Sequence, residues 1–432
     1  MPPIQSPISK DSSILIVGAG VFGLSTALHL AQDGYTNITV LDRENVPSPY
    51  SAGNDLNKIV RAEYEDPFYT ELALDAIKKW QTPFWAPYIR LTGYVLATSA
   101  SSPSKARDSL HKSFLSINTH PAFPPASFSP VTTAQDIRHA APMLEGPMEG
   151  WTGYINKYAG YARAAKALEH AAAVCSDLGV KLVTGDDGYA IEVLYTAAGK
   201  ECIGVKTKSG TTHTASKTVI CLGAHIGTLL PGIAQQVTAK SWAVAHIQLT
   251  ASEAEAMRGC PVVNCRDLGF FFEPDDDTHK IKLCANGAGY TNYVSNAGSG
   301  KKLSVPSTSI VGIPREDENL IKRLIAETIP RFVGRELIDR FICWCSDAAN
   351  SDYVIDFVPG CGGLVVVTGD SGHAFKMLPI AGKWVQQVLE AGMQSTRRWK
   401  WKVSVKGSED ISWRVGHVQD IKDVQMSKVT KL

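Results

Sequence analysis

The sequence lacks any marked charge imbalance. Lys and Arg number 43 against 42 Asp and Glu, leaving a net charge of +1. That excludes a chain-wide basic field able to attract nucleic acid or an anionic membrane. No apolar run reaches the ~18–20 residues that a spanning helix needs, so no membrane partner is expected. Residues 1–11 contain no apolar stretch of the secretory-signal kind. The nine cysteines are odd in number and scattered, and seven sit in apolar or strand-like surroundings. This argues for buried thiols in a reducing, intracellular compartment rather than a disulfide framework. The last three residues, Thr430-Lys431-Leu432, differ by one residue from the Ser-Lys-Leu peroxisomal address. The expected location is therefore cytoplasmic or peroxisomal. Internal repeats and long low-complexity linkers are missing as well. A chain of 432 residues exceeds the ~50–250 residues of a typical domain, so two domains are expected, with the chain crossing between them several times.

What is present begins with one β-α-β unit. Ser13–Val17 is an apolar strand, Leu24–Gln32 an apolar helical stretch closed by Gly34, and Ile38–Leu41 a second strand ending at Asp42. Between the first strand and the helix stands Gly18-Ala19-Gly20-Val21-Phe22-Gly23. G-x-G-x-x-G after a strand, opening a helix, with an acid at the end of the next strand, points to a dinucleotide site. Gly18 permits the tight turn, Gly20 admits a pyrophosphate close to the backbone, and Gly23 lets the helix pack on the strand. The helix N-terminus offers N–H groups to phosphates, and Asp42 can accept from ribose hydroxyls. Further along, residues 66–95 are expected to be largely helical around Tyr69–Trp80, with helices over Ala162–Leu178 and Glu316–Ile329 and strands over most of 241–285. Near the end, Val365–Thr368 reads as a strand, Gly369-Asp370-Ser371-Gly372 as a turn, and Phe375–Leu389 as a helix whose N-terminus would approach the dinucleotide. A cofactor held by both ends of the chain suits a resident flavin better than a diffusible nicotinamide.

Several separated stretches carry a family resemblance: ILIVGAGVFGLSTALHL, SAGNDLNKIVR (Ser51–Arg61), KSWAVAHIQLT (Lys240–Thr250), GFFFEP (Gly269–Pro274), ICWCSD (Ile342–Asp347) and TGDSGHAFKMLP (Thr368–Pro379). The chain resembles the monomeric sarcosine oxidases and, within that group, the fungal fructosyl amino acid oxidases, or amadoriases. The resemblance implies an α/β fold. An FAD-binding Rossmann-like domain of the hydroxybenzoate-hydroxylase type would be interleaved with a mixed-sheet α+β substrate domain. The expected division is 1–65, 150–238 and 340–396 for FAD, 66–149 and 239–339 for substrate, and 397–432 as a tail.

The resemblance also implies roles for single residues. Cys343 matches the cysteine that carries FAD covalently, with Cys345 as the neighbour that confuses the assignment; by composition alone both read as buried strand thiols. Lys282 matches the lysine at which oxygen is activated, where a fixed cation stabilises the charge that oxygen acquires. Lys280 shares its strand face, and a surface lysine is the competing reading. Arg61 and Lys376 match the pair that holds a substrate carboxylate; a rim ion pair and a helix-surface lysine are their plain alternatives. Lys58 matches a basic residue close to the flavin. His373 would lie beside the flavin, and a packed or capping histidine remains equally open. Gly369, Gly372 and Lys376 are expected on the cofactor side as well. No metal site is expected.

The sequence also departs from the amadoriases. Where they carry Asp-Glu shortly after the oxygen lysine, this chain has Ala285-Asn286. Asn286 still hydrogen-bonds but brings no charge. The expected activity is FAD-dependent oxidation of the secondary-amine C–N bond of a small N-substituted amino acid (N-methyl, N-alkyl or fructosyl), by O2, in a monomer. L-pipecolate, L-saccharopine and secondary-metabolite imine formation stay open as substrates or roles. An FAD dehydrogenase with another acceptor and a non-catalytic flavin-binding protein are the more distant alternatives.

Overall fold

Five parallel strands and one antiparallel edge strand form the first sheet of the computed structural model, which describes residues 5–124, 126–295, 302–402 and 414–427. Their order across the sheet is Val354–Phe357, Leu364–Thr368, Lys217–Ile220, Ile14–Val17, Ile38–Leu41 and Lys181–Val183. Ile14–Val17 is fully buried, as an apolar run between two covered faces must be. One face packs on helices Val21–Gln32, Ala164–Asp177 and Ala381–Ala391. The other packs on a small antiparallel sheet of Ala190–Tyr195, Cys202–Thr207 and Thr212–Thr214. The first helix starts at Val21, three residues before the apolar stretch suggested. Gly34 has φ +84° and follows the helix as anticipated. An added Cβ on Gly23 would lie 1.8 Å from the Gly18 carbonyl oxygen, so only glycine lets helix and turn approach this closely.

Among the described residues the second sheet has ten strands. Thr238–Gln248 and Ile338–Asp347 form its long central pair, and Lys280–Ala285, Gly269–Phe271, Val262–Cys265, Tyr94–Thr98, Thr152–Asn156 and Phe128–Val131 continue it to one side. Strand periodicity sorts its side chains onto two faces. Val95, Ala97, Ile155, Val263, Ile281 and Leu283 face one way, onto Ile321, Leu324 and Ile325 of helix Arg315–Thr328. Tyr94, Tyr154, Asn264, Lys282, Cys343 and Cys345 stand at the alternate positions, towards the first domain.

Several placements differ from the sequence-based expectation. Thr152–Asn156, and Ile338–Asp347 from residue 340 onward, expected within the FAD-binding segments, hydrogen-bond into the second sheet. Apolar alternation says which residues make a strand but not which sheet receives it. The expected helix Phe375–Leu389 is a short 3-10 turn, Phe375–Met377, followed by a helix that begins only at Ala381. Pro379 has no N–H to continue the ladder. The segment expected as a separate tail is split as well. Trp399 joins the first core, and Gln419–Asp420 pairs with Tyr290–Thr291 of the second sheet. Thr430–Leu432 lies outside the described residues.

Candidate active site

A cavity opens where the first strand turns into the first helix. Gly18, Gly20, Val21, Asp42, Lys58, Cys345 and Gly372 are among the residues that line it. The helix N-cap, Gly20, supplies no side-chain hydrogen bond, so the first-turn N–H groups are left for a ligand. Asp42 Oδ2 accepts from the Ala19 N–H at 2.8 Å and Oδ1 from Glu44 at 3.2 Å. Burial pushes the Asp42 carboxyl up, against those two N–H groups. Across the cavity the Arg43 guanidinium lies 3.7 Å from the Tyr50 ring centre. A Cβ on Gly20 would meet only Ser51 Oγ, at 3.6 Å; the protein itself does not demand glycine there, whereas a pyrophosphate against the backbone would. The residues present therefore fit FAD.

Beyond Lys58 the cavity wall leads to a carboxylate with two lysines. Asp55 Oδ2 accepts from Lys282 Nζ at 2.5 Å and from Lys58 Nζ at 2.8 Å. Lys282 also donates to the Asn57 carbonyl at 2.9 Å, and Phe272 lies 5.1 Å beneath its ammonium. Burial alone would raise the Asp55 carboxyl, but the two ammonium groups outweigh it and hold the group ionised. Burial likewise opposes the charge on Lys58, and Asp55 more than restores it. Lys58 Nζ stands 3.9 Å from Cys343 Sγ. The Cys343 thiol is drawn down by a hydrogen bond from Cys345 and by the two ammonium groups, while Cys345 is pushed up. A thiolate stabilised at Cys343 is the nucleophilic member of the pair. Cys345, however, is the one that borders the cavity.

A second pair of cations gathers on Tyr64. Lys376 Nζ donates to the Tyr64 hydroxyl at 2.8 Å. Both Lys376 Nζ and the Arg61 guanidinium sit over the Tyr64 ring, at 5.0 and 5.1 Å. Arg61 is anchored by donating to the Glu63 carbonyl. Lys376 is 4% exposed; burial, then the charge of Arg61, holds its amine well below the ordinary lysine range. His373 completes the cluster. Its Nε2 lies 2.9 Å from the Ser351 carbonyl oxygen and must donate, so Nδ1 accepts from Tyr353 at 2.9 Å. Burial, then Lys376, draws the imidazole down to about 3, which keeps it neutral.

The family model for FAD dependent oxidoreductases matches residues 13–388. The chain belongs to this family. It is 32% identical over 435 residues to the L-saccharopine oxidase of Schizosaccharomyces pombe, covering 96% of this chain and 99% of that one. Among solved structures, the fructosamine oxidase (Amadoriase II) of Aspergillus fumigatus superposes with a TM-score of 0.86 at 34% identity, over 98% of this chain and 99% of that one. The fructosyl peptide oxidase of E. terrenum superposes with a TM-score of 0.89 at 32% identity, over 98% and 99%. The protein is thus an FAD-dependent oxidoreductase of the amine-oxidising branch that contains these relatives.

Within this FAD-dependent family the site collects most of the residues singled out in the sequence. Gly18, Gly20, Asp42, Lys58 and Gly372 border the nucleotide cavity. Gly369 does not; at φ +75° it packs on the Asp352 carbonyl, shaping the turn. Of the two lysines on one strand face, Lys282 is 1% exposed, while Lys280 pairs with Asp339 at the surface. Asn286 is buried, and its amide donates to Asn264 Oδ1 and to the Cys265 carbonyl, each at 3.0 Å. Its N–H groups are thereby engaged within the protein. Asp55, Tyr64, Glu63, Tyr353 and Arg414 were not singled out. Asp55 and Tyr64 sit in or beside quoted motifs, so their presence there was a usable signal. Arg414 binds Asp347 and the Ser371 carbonyl at 3.0 Å each and lies over Trp242. Only the chain's return from the tail brings it there. Among the described residues no His, Cys, Asp and Glu group is placed to hold a metal, and no helix is long and apolar enough to cross a membrane.

Proposed function

We propose that the protein oxidises the secondary-amine C–N bond of an N-substituted amino acid, with dioxygen as acceptor, yielding an imine and hydrogen peroxide. One observation carries this reading: among the described residues, Arg61 and Lys376 share Tyr64 and form no ion pair with a carboxylate. Lys58 and Lys282, by contrast, share Asp55. Keeping both groups charged without an anion is expensive, which is why the buried Lys376 amine is held low beside Arg61, and a substrate carboxylate supplies the missing partner. Its arrival favours the ammonium form of Lys376 Nζ, which can take the proton from the substrate's own ammonium. The amine is then neutral, the form that can be oxidised. When bound, FAD supplies the two-electron acceptor for the amine and the donor for dioxygen. Gly18, Gly20, Asp42 and Lys58 would hold it, and Lys282 would stabilise the charge developing on oxygen.

Covalent attachment of FAD at Cys343 belongs to the same proposal, supported by the depressed thiol beside Lys58. Yellow colour should stay with acid-precipitated wild-type protein and with Cys345→Ala, and leave Cys343→Ala. Colour lost equally from both variants would reject the assignment. A monomer is proposed as well, to be checked by light scattering.

Among substrates, the saccharopine- and pipecolate-like class is favoured over sugar-bearing amino acids, because an uncharged Asn286 stands where the amadoriases carry an acid. The test is peroxide release from purified protein with fructosyl-valine, fructosyl-lysine, sarcosine, N-methyl aromatic amino acids, L-pipecolate and L-saccharopine. Turnover of fructosyl compounds alone would overturn the preference, and no turnover of any would overturn the oxidase reading.

A further inference from the structure

The Tyr64 hydroxyl lies between two groups that compete for it. Lys376 Nζ is 2.8 Å away on one side and His373 Nδ1 3.3 Å away on the other. The Tyr353 hydroxyl likewise has two acceptors in reach, His373 Nδ1 at 2.9 Å and the His373 carbonyl oxygen at 3.3 Å. His373 Nε2 is committed as a donor to the Ser351 carbonyl, so Nδ1 offers one lone pair to two phenols. Tyr353 is fully buried and Lys376 nearly so. A hydrogen left without an acceptor in such a place is costly.

These contacts allow two complete arrangements. With Lys376 neutral, the amine lone pair accepts the Tyr64 O–H across the 2.8 Å contact, and Tyr353 donates to Nδ1. An ammonium has no lone pair and can only donate. Nζ then donates to the Tyr64 oxygen, Tyr64 turns its hydrogen to Nδ1, and Tyr353 turns its own to the His373 carbonyl. Both hydroxyl hydrogens have an acceptor in either arrangement. They only rotate, and no proton passes along the chain. After burial, the charges acting on Lys376 are Arg61, against the ammonium, and Glu63, in favour of it. Lys376, Arg61 and Arg414 act on His373, and Tyr64, Tyr69, Asp370 and Asp352 on Tyr353. Apart from Lys376, the two arrangements leave these charges as they are.

We propose that Tyr64, His373 and Tyr353 form a hydrogen-bond relay, in which His373 and Tyr353 are positioning residues that let Lys376 hold or release a proton beside the substrate. This rests on the reading above, in which the proton leaves the substrate nitrogen for Lys376 Nζ, and adds the groups that accommodate it. The two residues act in opposite senses. Without the Tyr353 hydroxyl, Nδ1 is idle in the neutral arrangement and answered in the charged one, so the ammonium gains. Without Nδ1, the Tyr64 hydrogen has an acceptor only in the neutral arrangement, so the amine gains.

The test is calorimetry of the purified flavoprotein binding (methylthio)acetate, across pH and in buffers of different ionisation enthalpy. This probe has the carboxylate but carries sulfur in place of the amine, so a proton taken up on binding comes from the buffer. Wild-type protein is expected to take up about one proton per molecule bound, from the pH at which free Lys376 loses its own. Tyr353→Phe should move that onset up, and His373→Phe, which keeps a ring, should move it down. Each shift should be roughly one pH unit, the size of one buried hydrogen bond. Lys376→Met should abolish the uptake. The same opposite shifts should appear in the acid limb of kcat/KM for any compound of the peroxide panel that is oxidised. Uptake with both onsets unmoved, or moved in the same direction, overturns the relay and leaves Lys376 as the proton acceptor. No binding or no uptake in the wild type overturns that role of Lys376, and the relay with it. Should His373→Phe fail to fold, the Tyr353→Phe shift decides alone.

Discussion

The two faces of the ten-stranded sheet follow the same strands yet obey different rules. The face towards helix Arg315–Thr328 is apolar throughout, with Ile281, Leu283, Val95 and Val263 closed against Ile321 and Leu324. The face towards the first domain, one residue out of register along each strand, carries Lys282, Cys343, Tyr94, Tyr154 and Asn264. On the first face each side chain is stabilised by removal from water, at roughly 25 cal/mol per Å². On the second, every charge is costly until a partner arrives. Lys282 has one in Asp55; away from that sheet, Arg61 and Lys376 share Tyr64 and form no ion pair with a carboxylate among the described residues. A single period-2 pattern therefore builds a core on one side and a site on the other.

Breaking the polar side should have the largest effect. Lys282→Met is expected to slow flavin reoxidation by roughly 10²–10³-fold, the scale of losing one preorganised electrostatic group, while leaving flavin reduction within a few-fold. Stopped-flow absorbance separates the two half-reactions, and equal losses would remove Lys282 from the oxygen step. Lys58 remains on Asp55 in this variant, so the carboxylate is not left alone.

The apolar side should respond in stability instead. Leu283→Ala, one residue further along the same strand, is expected to cost about 2–5 kcal/mol. Chemical denaturation should show it, with kcat per folded molecule unchanged. A drop in kcat without a loss of stability would show that the two faces are not independent.

Acid should weaken the polar side selectively. The folded-state pKa of His373 is about 3, and that of His225 is drawn to about 4 by burial and then Arg43, against an ordinary 6.5. As pH falls below about 6.5, the unfolded chain binds protons that the folded chain refuses. Stability therefore decreases from there down to the folded values and is fully regained above about 6.5. At about 1.36 kcal/mol per unit, His373 accounts for on the order of 3 kcal/mol by pH 4. His373→Gln should flatten the stability profile between pH 6 and 4; an unaltered slope would mean that the imidazole is charged in the folded protein.

The smallest effect is expected at Lys280, which shares the face of Lys282 but reaches the surface and Asp339. Lys280→Met should shift stability by less than about 0.5 kcal/mol and leave both half-reactions unaltered. A reoxidation defect there would blur the distinction between the two lysines.

The comparison also shows how far the residues spoke for themselves. Glycines and an acid within one β-α-β unit announced the nucleotide cradle, because the contact that ties the turn to the acid is local: Ala19 donates to Asp42 across 23 residues. Separated motifs announced the family and most of the site. The helix expected from Phe375 was misplaced because one missing N–H, at Pro379, outweighed an otherwise helical pattern. Arg414 was invisible because nothing in its own segment marks it.

The sequence by itself determined the dinucleotide turn, the strand faces and the set of cations available. The tertiary structure alone decided how those cations are paired. Lys282 finds Asp55 across 227 residues, and Lys376 finds Tyr64 across 312. Periodicity assigns a side chain to a face, but only the path of the whole chain chooses the group opposite. In a desolvated site that choice decides which charge is already answered by a carboxylate and which is not.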